Sequence, residues 1–430
     1  MEIFKNHLKK YLLDEDIDKL VTSFSLPSKH ACLLNLNKIS DEKFLSLFPH
    51  VEPHPIVPHA YIYDKNEYEL GKSIYHELGC FYLQEPSAMV VSYMLDAKED
   101  DFILDLCAAP GGKTIQASLS MNQKGIIISN DISKERCRAL KDNVDRLGLK
   151  NIVITNNDFK YIYQNFLNSF DKIILDAPCS GSGMFRKDDK MLQDWSINKV
   201  YKNAVTQYEL ISIAYQMLKP GGTLAYSTCS YSYEEDEEVI QYLLNNVEAT
   251  ILDINVSKMF YQSKTKLGIH LFPYLFPGEG HYICLIRKPG VLKKTPYQSK
   301  KILNNLLPIE FKNYSSYKFG DNLFALPYDF KYKGINIYQF GVHVGEIIKN
   351  NILYTYPLSH ALSRYESTID LNENEVLKYI QGELLTKLSK YKGNVLLTYE
   401  NIPLDFSKTN GEIIKNHYPK YLRKNNIKTH

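Results

Sequence analysis

Several things are missing from this 430-residue chain. No apolar run approaches the roughly 18–20 residues needed to span a bilayer, so no membrane-spanning role is expected. The opening Met1–Lys10 carries no secretion-signal pattern. There is no internal repeat and no low-complexity tract, which excludes solenoid and repeat-array architectures. Cysteines are few and scattered: Cys32, Cys80, Cys107, Cys137, Cys179, Cys229 and Cys284. Their odd number and lack of paired metal spacing argue against a disulfide framework and for a reducing, cytoplasmic setting. Strong net charge is absent too, at +2 overall, but the balance is uneven. Residues 291–430 hold 20 Lys/Arg against 12 Asp/Glu, leaving 31 against 37 before them. A basic last third beside a mildly acidic core places polyanion affinity in the tail, with a solvated lysine surface as the bland alternative.

The length calls for two or three domains. Met1–Leu20 has apolar residues at helical spacing. His50–His59 has three prolines and three histidines (His50, His54, His59) without a Cys or carboxylate at ligand spacing; this reads as a stiffened loop, and no metal site is expected. From about residue 86 strands and helices alternate. Phe102–Leu106, Ile126–Ser129, Ile152–Thr155, Lys172–Leu175 and the segment ending at Thr228 read as buried strands. Ser133 and Gly148 bound an amphipathic helix as N-cap and C-cap, and helices are expected over 198–218 and 233–245. Such β-α units predict an α/β fold with a doubly wound, mostly parallel sheet. The Lys/Pro-rich stretch near 288–299 reads as a linker, and Asn394–Tyr399 as a late buried strand.

The turn Cys107-Ala108-Ala109-Pro110-Gly111-Gly112-Lys113-Thr114 approximates a phosphate loop but has Cys107 where the first glycine belongs, and Pro110 removes a backbone donor. A nucleotide hydrolase is therefore disfavoured. The better reading is a strand–turn–helix that offers backbone to an adenosyl ligand. Asp131 lies 20 residues after Gly111 at the end of the next strand, the spacing of an acid that binds ribose hydroxyls. Asp158 follows the third strand, within reach of an adenine amino group, and Asp176 follows the fourth.

Two thiols end strands as well. Asp176-Ala177-Pro178-Cys179-Ser180-Gly181-Ser182-Gly183 and Ser227-Thr228-Cys229-Ser230 each place a cysteine among small residues. Cys179 and Arg186 invite comparison with a phosphatase loop, but their spacing is one residue too long. Carbon 5 of a pyrimidine needs such thiols: it becomes nucleophilic only after a thiolate adds to carbon 6, and the adduct must later be released. That chemistry calls for an activated thiolate, an acid at the ring N3 and a second group for release. Cys229, Asp176 and Cys179 supply those types. The base must also leave its stack.

At these residues the chain closely resembles the Sun/Fmu family of RNA cytosine-5 methyltransferases, and within it the bacterial RsmF branch. The matching stretches are Cys107–Thr114, Asp176–Gly183 with Phe185-Arg186-Lys187-Asp188, Ser227–Ser230 with Glu234–Glu238, Phe81–Met89 and Pro277–His281. The resemblance implies a Rossmann-like class I S-adenosylmethionine-dependent core with a small N-terminal α+β region and a basic C-terminal PUA-like module. The expected divisions are 1–85 (RNA-facing), 86–290 (catalytic), 291–301 (linker) and 302–430 (RNA-binding extension). It implies Cys229 as nucleophile, Cys179 for product release, Asp176 at the cytosine N3 edge and Lys113 as a pocket lysine. Cys107, Ala108, Ala109, Pro110, Gly111, Gly112, Lys113, Asp131, Asp158 and Asp176 would surround S-adenosyl-L-methionine. The implied partner is 16S rRNA or the small ribosomal subunit, met by a monomer; tRNA, or a non-catalytic adenosyl- and RNA-binding scaffold, are the alternatives. Leu33, His270 and Phe406 depart from the family pattern at positions expected to hold Arg, Arg and Trp.

Overall fold

The computed structural model describes residues 1–428 apart from 188, 256, 296, 299–305, 332, 333 and 350. Asp188 of the second motif and the end of the expected linker therefore lie outside the described residues. A nine-stranded sheet forms the centre. Five of its strands are parallel: β1 (Phe102–Asp105), β2 (Ile126–Asn130), β3 (Ile152–Thr155), β4 (Phe170–Asp176) and β5 (Leu218–Thr228). They form around central apolar runs able to bury both faces, such as Ile173-Ile174-Leu175 in β4 and Leu224-Ala225-Tyr226 in β5, the pattern of parallel strands covered by helices. β6 (Tyr282–Arg287) pairs antiparallel with β5, so the order across the sheet is β6-β5-β4-β1-β2-β3. The order reverses between β1 and β4. Ligands bind at such a switch point, outside the carboxyl ends of the strands.

The covering helices include α1 (Gly112–Ser120), α2 (Lys134–Leu147), α3 (Phe159–Asn165), α4 (Ile197–Met217) and α5 (Glu237–Asn246). The caps of α2 are those its sequence predicts: the Ser133 hydroxyl accepts from the Arg136 amide, and Gly148 sits at φ +69°. Two boundaries differ from expectation. Lys219-Pro220-Gly221-Gly222 does not stop the preceding helix as a loop; it runs within β5, bent where the register with β4 shifts. The expected helix over 233–245 opens instead as a 3-10 turn, Tyr233–Glu235, and α5 begins at Glu237. Glu235 and Asp236 are buried there against the cysteine loops, which fixes a backbone path that a regular helix would not give.

The flanking segments are tied closely to this sheet. β7 (Ile337–Phe340), from the C-terminal third, joins its far edge antiparallel to β3. Helices Glu2–Leu8 and Asp14–Ser23 pack Phe4, Leu8, Ile17 and Leu20 on Phe185, Trp195, Tyr231 and Phe272. A four-stranded antiparallel sheet around His30–Leu34 shares one core with a five-stranded C-terminal sheet; Phe44, Phe48 and Phe81 meet Tyr379, Leu397 and Tyr418 in it. Asn394–Tyr399 lies within a strand of the latter, as read from the sequence. The three histidines of 50–59 do not converge: His50 and His59 pair with Glu67 and Asp41, and His54 is buried against the Pro86 carbonyl. Among the described residues no helix is long and apolar enough to cross a membrane.

Candidate active site

The site begins at the carboxyl ends of β1 and β4. After Asp105 the chain turns through Cys107–Gly111 into α1. Gly111 has φ +114°, and a Cβ there would lie 2.6 Å from the Leu140 side chain, so only glycine fits. The backbone of Cys107–Pro110 and Gly112 walls a cavity of about 240 Å³, whose other walls include Asp105, Lys113 and Asp176 on one side and Gln84 and Glu85 on the other. Asp105 is fully buried; its Oδ2 accepts from the Thr114 hydroxyl (2.7 Å), while its Oδ1 has no partner among the described residues. A donor-lined turn beside an orphaned buried carboxylate oxygen fits an adenosyl ligand with polar groups to place.

Lys113 and Asp176 face each other across this cavity, Nζ to Oδ2 2.7 Å, and the Ser227 hydroxyl donates to Asp176 Oδ1 at 2.7 Å. Burial alone would raise the Asp176 carboxyl, but the Lys113 ammonium, and further out His281, outweigh it and hold it below its ordinary value. Lys113 is buried, which opposes its charge, yet Asp176 keeps it above the ordinary lysine range. Asp176 therefore presents an ionised carboxylate, one third exposed, at the cavity wall.

The two cysteines meet. Cys179 Sγ and Cys229 Sγ are 3.1 Å apart, each partly exposed. The Cys179 thiol is pushed well up, first by its hydrogen bond to Cys229 and then by burial, so it keeps its proton and can donate it towards the Cys229 sulfur. Cys32, Cys80, Cys137 and Cys284 are buried away from this pair, and burial pushes each thiol up.

What holds the two loops together is Glu235, which the sequence offered only as part of an acidic run. Its Oε1 accepts from the Ser180 amide (2.7 Å) and its Oε2 from the Ser180 and Ser230 hydroxyls (2.5 and 2.6 Å). One buried carboxylate thus joins the residue after Cys179 to the residue after Cys229. Burial raises this carboxyl, and the serine hydrogen bonds partly offset the rise. Gly183 closes the junction, donating to the Cys229 carbonyl at 2.7 Å; a Cβ there would lie 2.8 Å from that oxygen. Behind Cys229, the hydroxyl of Thr228 donates to Asp236 Oδ1 (2.5 Å), and His270 lies between Asp236 and Glu237 with Nε2 3.0 Å from Glu237. The N-terminal helices complete the support: His7 and Tyr11 reach Glu234 at 3.1 and 2.7 Å.

Other expected residues fall outside this cluster. Asp131 is buried at the end of β2; it accepts from the Ala109 and Ser133 amides and pairs with Arg136 at 3.2 Å, so it braces the glycine turn without lining the cavity. Asp158 caps α3 by accepting from the Lys160 amide and does not line it either. Arg186 is buried against Glu279, Nε to Oε2 2.8 Å, so it is not an open anion cradle. Leu33 is buried in its strand, and Phe406 packs on Tyr354 and Tyr365 in the C-terminal core.

Sheet order, glycine turn, strand-end acids and facing thiols together define a Rossmann-like S-adenosylmethionine-dependent methyltransferase. The chain belongs to the 16S rRNA methyltransferase RsmB/F family, whose profile matches residues 92–287. Residues 2–86 match the N-terminal domain of 16S rRNA methyltransferase RsmF, and 366–424 the methyltransferase RsmF PUA domain. The chain is 30% identical to ribosomal RNA small subunit methyltransferase F of Shewanella woodyi, over 96% of this chain and 94% of that protein. It is 28% identical to the protein of the same name from an Enterobacter species, over 94% and 92%. Among solved structures, a methyltransferase homolog protein from Pyrococcus horikoshii aligns with a TM-score of 0.60 and 27% identity over 67% of this chain and 95% of its own. NSun6 from the same organism, solved with SFG, aligns at 0.59 and 22% over 68% and 99%, a likeness of fold.

Proposed function

We propose that this protein methylates carbon 5 of a cytosine in RNA, with S-adenosylmethionine as donor, and that its RNA is the 16S rRNA of the small ribosomal subunit. The observation that carries this reading is the 3.1 Å approach of Cys179 and Cys229 beside the ionised Asp176. A single nucleophile would suffice for many transfers. Two thiols and an acid suit a ring that must be attacked, substituted and released.

When bound, S-adenosylmethionine supplies the electrophilic methyl group. The turn Cys107–Gly112 would hold it by backbone, with Lys113 and Asp105 beside it; Asp131 would take its ribose hydroxyls after exchanging its contact with Arg136, and Asp158 its adenine edge. A flipped cytosine that takes up a solvent proton at N3 donates that N3–H to the Asp176 carboxylate, and the ring charge stabilised in this way draws electron density from carbon 6. The Cys229 thiolate then adds at carbon 6, making carbon 5 enamine-like. Once carbon 5 carries the methyl group, a water molecule takes the carbon 5 proton, the ring electrons return, and the carbon 6–sulfur bond breaks with Cys229 departing as thiolate and the N3 proton returning to solvent. Cys179 keeps its proton through the attack because its thiol is pushed well up, and it assists the release.

Two further properties belong to the same proposal. Seven unpaired thiols suit a reducing cytoplasm, and a single chain that contributes every group of the cluster can act as a monomer. The test uses 30S subunits and 16S rRNA from cells lacking the gene, incubated with the protein and methyl-labelled S-adenosylmethionine. Label should appear in nucleoside digests as 5-methylcytidine, with tRNA as comparison. Label in tRNA alone would move the substrate; label on no RNA would overturn the reading.

A further inference from the structure

Beside the catalytic cavity lies a second, larger cleft of about 370 Å³ between the N-terminal sheet and the loop after Cys179. The two spaces share Leu83, Gln84, Glu85 and Lys187 as walls, so they lie side by side. Its cations and anions are not equivalent. The three acids on its walls are already engaged: Glu69 by Lys72 and Lys428, Glu85 by the amides of Ser87 and Glu279, and Glu279 by Arg186. By contrast Lys29, Lys65 and Lys187 are exposed, and no acidic partner for any of them is found among the described residues. The cleft is thus lined by uncompensated positive charge even though its formal composition is mixed.

Its floor carries rings. His30 lies beside Tyr63, centroids 5.8 Å apart, and is half exposed. Burial, and then the charges of Lys65 and Lys187, hold its imidazole below the ordinary value, which places both ammonium groups near a ring that stays neutral. Free ammonium groups around a half-exposed neutral ring are what a single nucleic-acid strand needs: charge for phosphates and a face for a base. A double helix would need a broad surface, not a cleft of this size.

We propose that this cleft holds the single-stranded RNA flanking the target cytosine, with phosphates on Lys29, Lys65 and Lys187 and a neighbouring base against His30. This assignment rests on the proposed function for the identity of the polyanion, and it moves the principal phosphate contacts from the basic C-terminal tail to the N-terminal unit. The C-terminus still contributes to the wall: Lys428 exchanges backbone hydrogen bonds with Lys72 and Ile74, and its side chain reaches Glu69 at 2.6 Å.

The experiment compares two double variants of the full-length protein, Lys29→Ala with Lys65→Ala in the cleft and Lys408→Ala with Lys415→Ala in the tail. All four lysines are exposed, so folding should be unaffected. Binding of a fluorescein-labelled single-stranded oligoribonucleotide is followed by anisotropy from low to moderate salt, a readout independent of methyl transfer. Each lost phosphate contact should lower the slope of log K against log salt by about 0.7. The cleft double variant should therefore lose about 1.4 from the slope, and where methylation is measured its KM for RNA should rise with kcat and the KM for cofactor unchanged. The tail double variant should lose less. A cleft variant with the wild-type slope, or a tail variant with the larger loss, would overturn the assignment. Absence of methylation with the predicted binding pattern would instead count against the enzymatic reading and leave the cleft as an RNA site.

Discussion

Glu235 offers the sharpest structural prediction because so much converges on one side chain. Its carboxylate is fully buried and accepts three hydrogen bonds from two different loops, at 2.5–2.7 Å. Glu235→Ala removes both acceptor oxygens and with them all three bonds. The two serine hydroxyls, 3.4 Å apart, can turn towards each other, but the Ser180 amide is left without an acceptor. An unsatisfied buried donor costs about 1–3 kcal/mol, and the lost side-chain volume adds a cavity term, so a loss of about 3 kcal/mol is expected. Against a total stability of roughly 5–15 kcal/mol the variant still folds. Its activity should suffer more, since shifting one sulfur by about 1 Å can cost about 100-fold. Glu235→Gln keeps an acceptor for the Ser180 amide and turns its amide group to hydroxyls that can rotate, so it should lose only about 1 kcal/mol and retain much of the rate. Urea unfolding and single-turnover methyl transfer measure both quantities. The expected signature is a fall in kcat with little change in the KM for cofactor, rescued in large part by glutamine. An alanine variant with wild-type kcat, or a glutamine variant as impaired as alanine, would refute the stapling role.

Three further outcomes follow from the same geometry. Gly183→Ala should be destabilised by about 1–3 kcal/mol and lose activity, because its Cβ would sit 2.8 Å from the carbonyls of Cys229 and Gly280; a fully active variant would mean that the two loops give way freely. Asp405 is buried, accepts from Tyr379 at 2.9 Å, and burial raises its carboxyl to about 7. The folded state therefore holds a proton that the unfolded state releases near pH 4, so stability from this group is fully present below about pH 4 and is lost as pH rises towards 7, by up to about 1.4 kcal/mol per pH unit. Asp405→Asn should abolish that slope in urea unfolding at pH 5 and 7.5, and a slope unchanged by the substitution would assign it elsewhere. Truncating Phe4 to alanine, which is buried with ring centroids 5.1 Å from Phe185 and Trp195, should cost about 3–5 kcal/mol and lower kcat through the loop after Cys179; loss of stability without loss of kcat would separate the N-terminal helices from the site.

The parallel strands were legible because each buries both faces at its centre and so carries an apolar run, as Ile173-Ile174-Leu175 does in β4. Caps were legible for a local reason as well: Ser133 and Gly148 satisfy helix ends with their own neighbours. The two cysteine loops could be paired on paper because chemistry demanded it. What the sequence hid is long-range. β7 completes the catalytic sheet from almost two hundred residues downstream of β3, and Ile337–Phe340 carries no local sign of its partner. The core shared by Phe48, Phe81, Leu397 and Tyr418 joins opposite ends of the chain. Glu235 sits in a run of five acids that the sequence offered only as part of a family-like stretch, and only the fold turns it inward onto Ser180 and Ser230. His7, on an unremarkable first helix, likewise acquires its meaning only from Glu234.

The division of labour between the facing sulfurs is the central claim, and trapping tests it most directly. Wild type, Cys179→Ala and Cys229→Ala proteins are incubated with unmethylated 16S rRNA and S-adenosylmethionine, then resolved on a denaturing gel that separates protein from covalent protein–RNA complex. Cys179→Ala should accumulate the complex because Cys229 still attacks while release stalls, wild type should show little, and Cys229→Ala should show none. A complex formed by Cys229→Ala and not by Cys179→Ala would contradict the account.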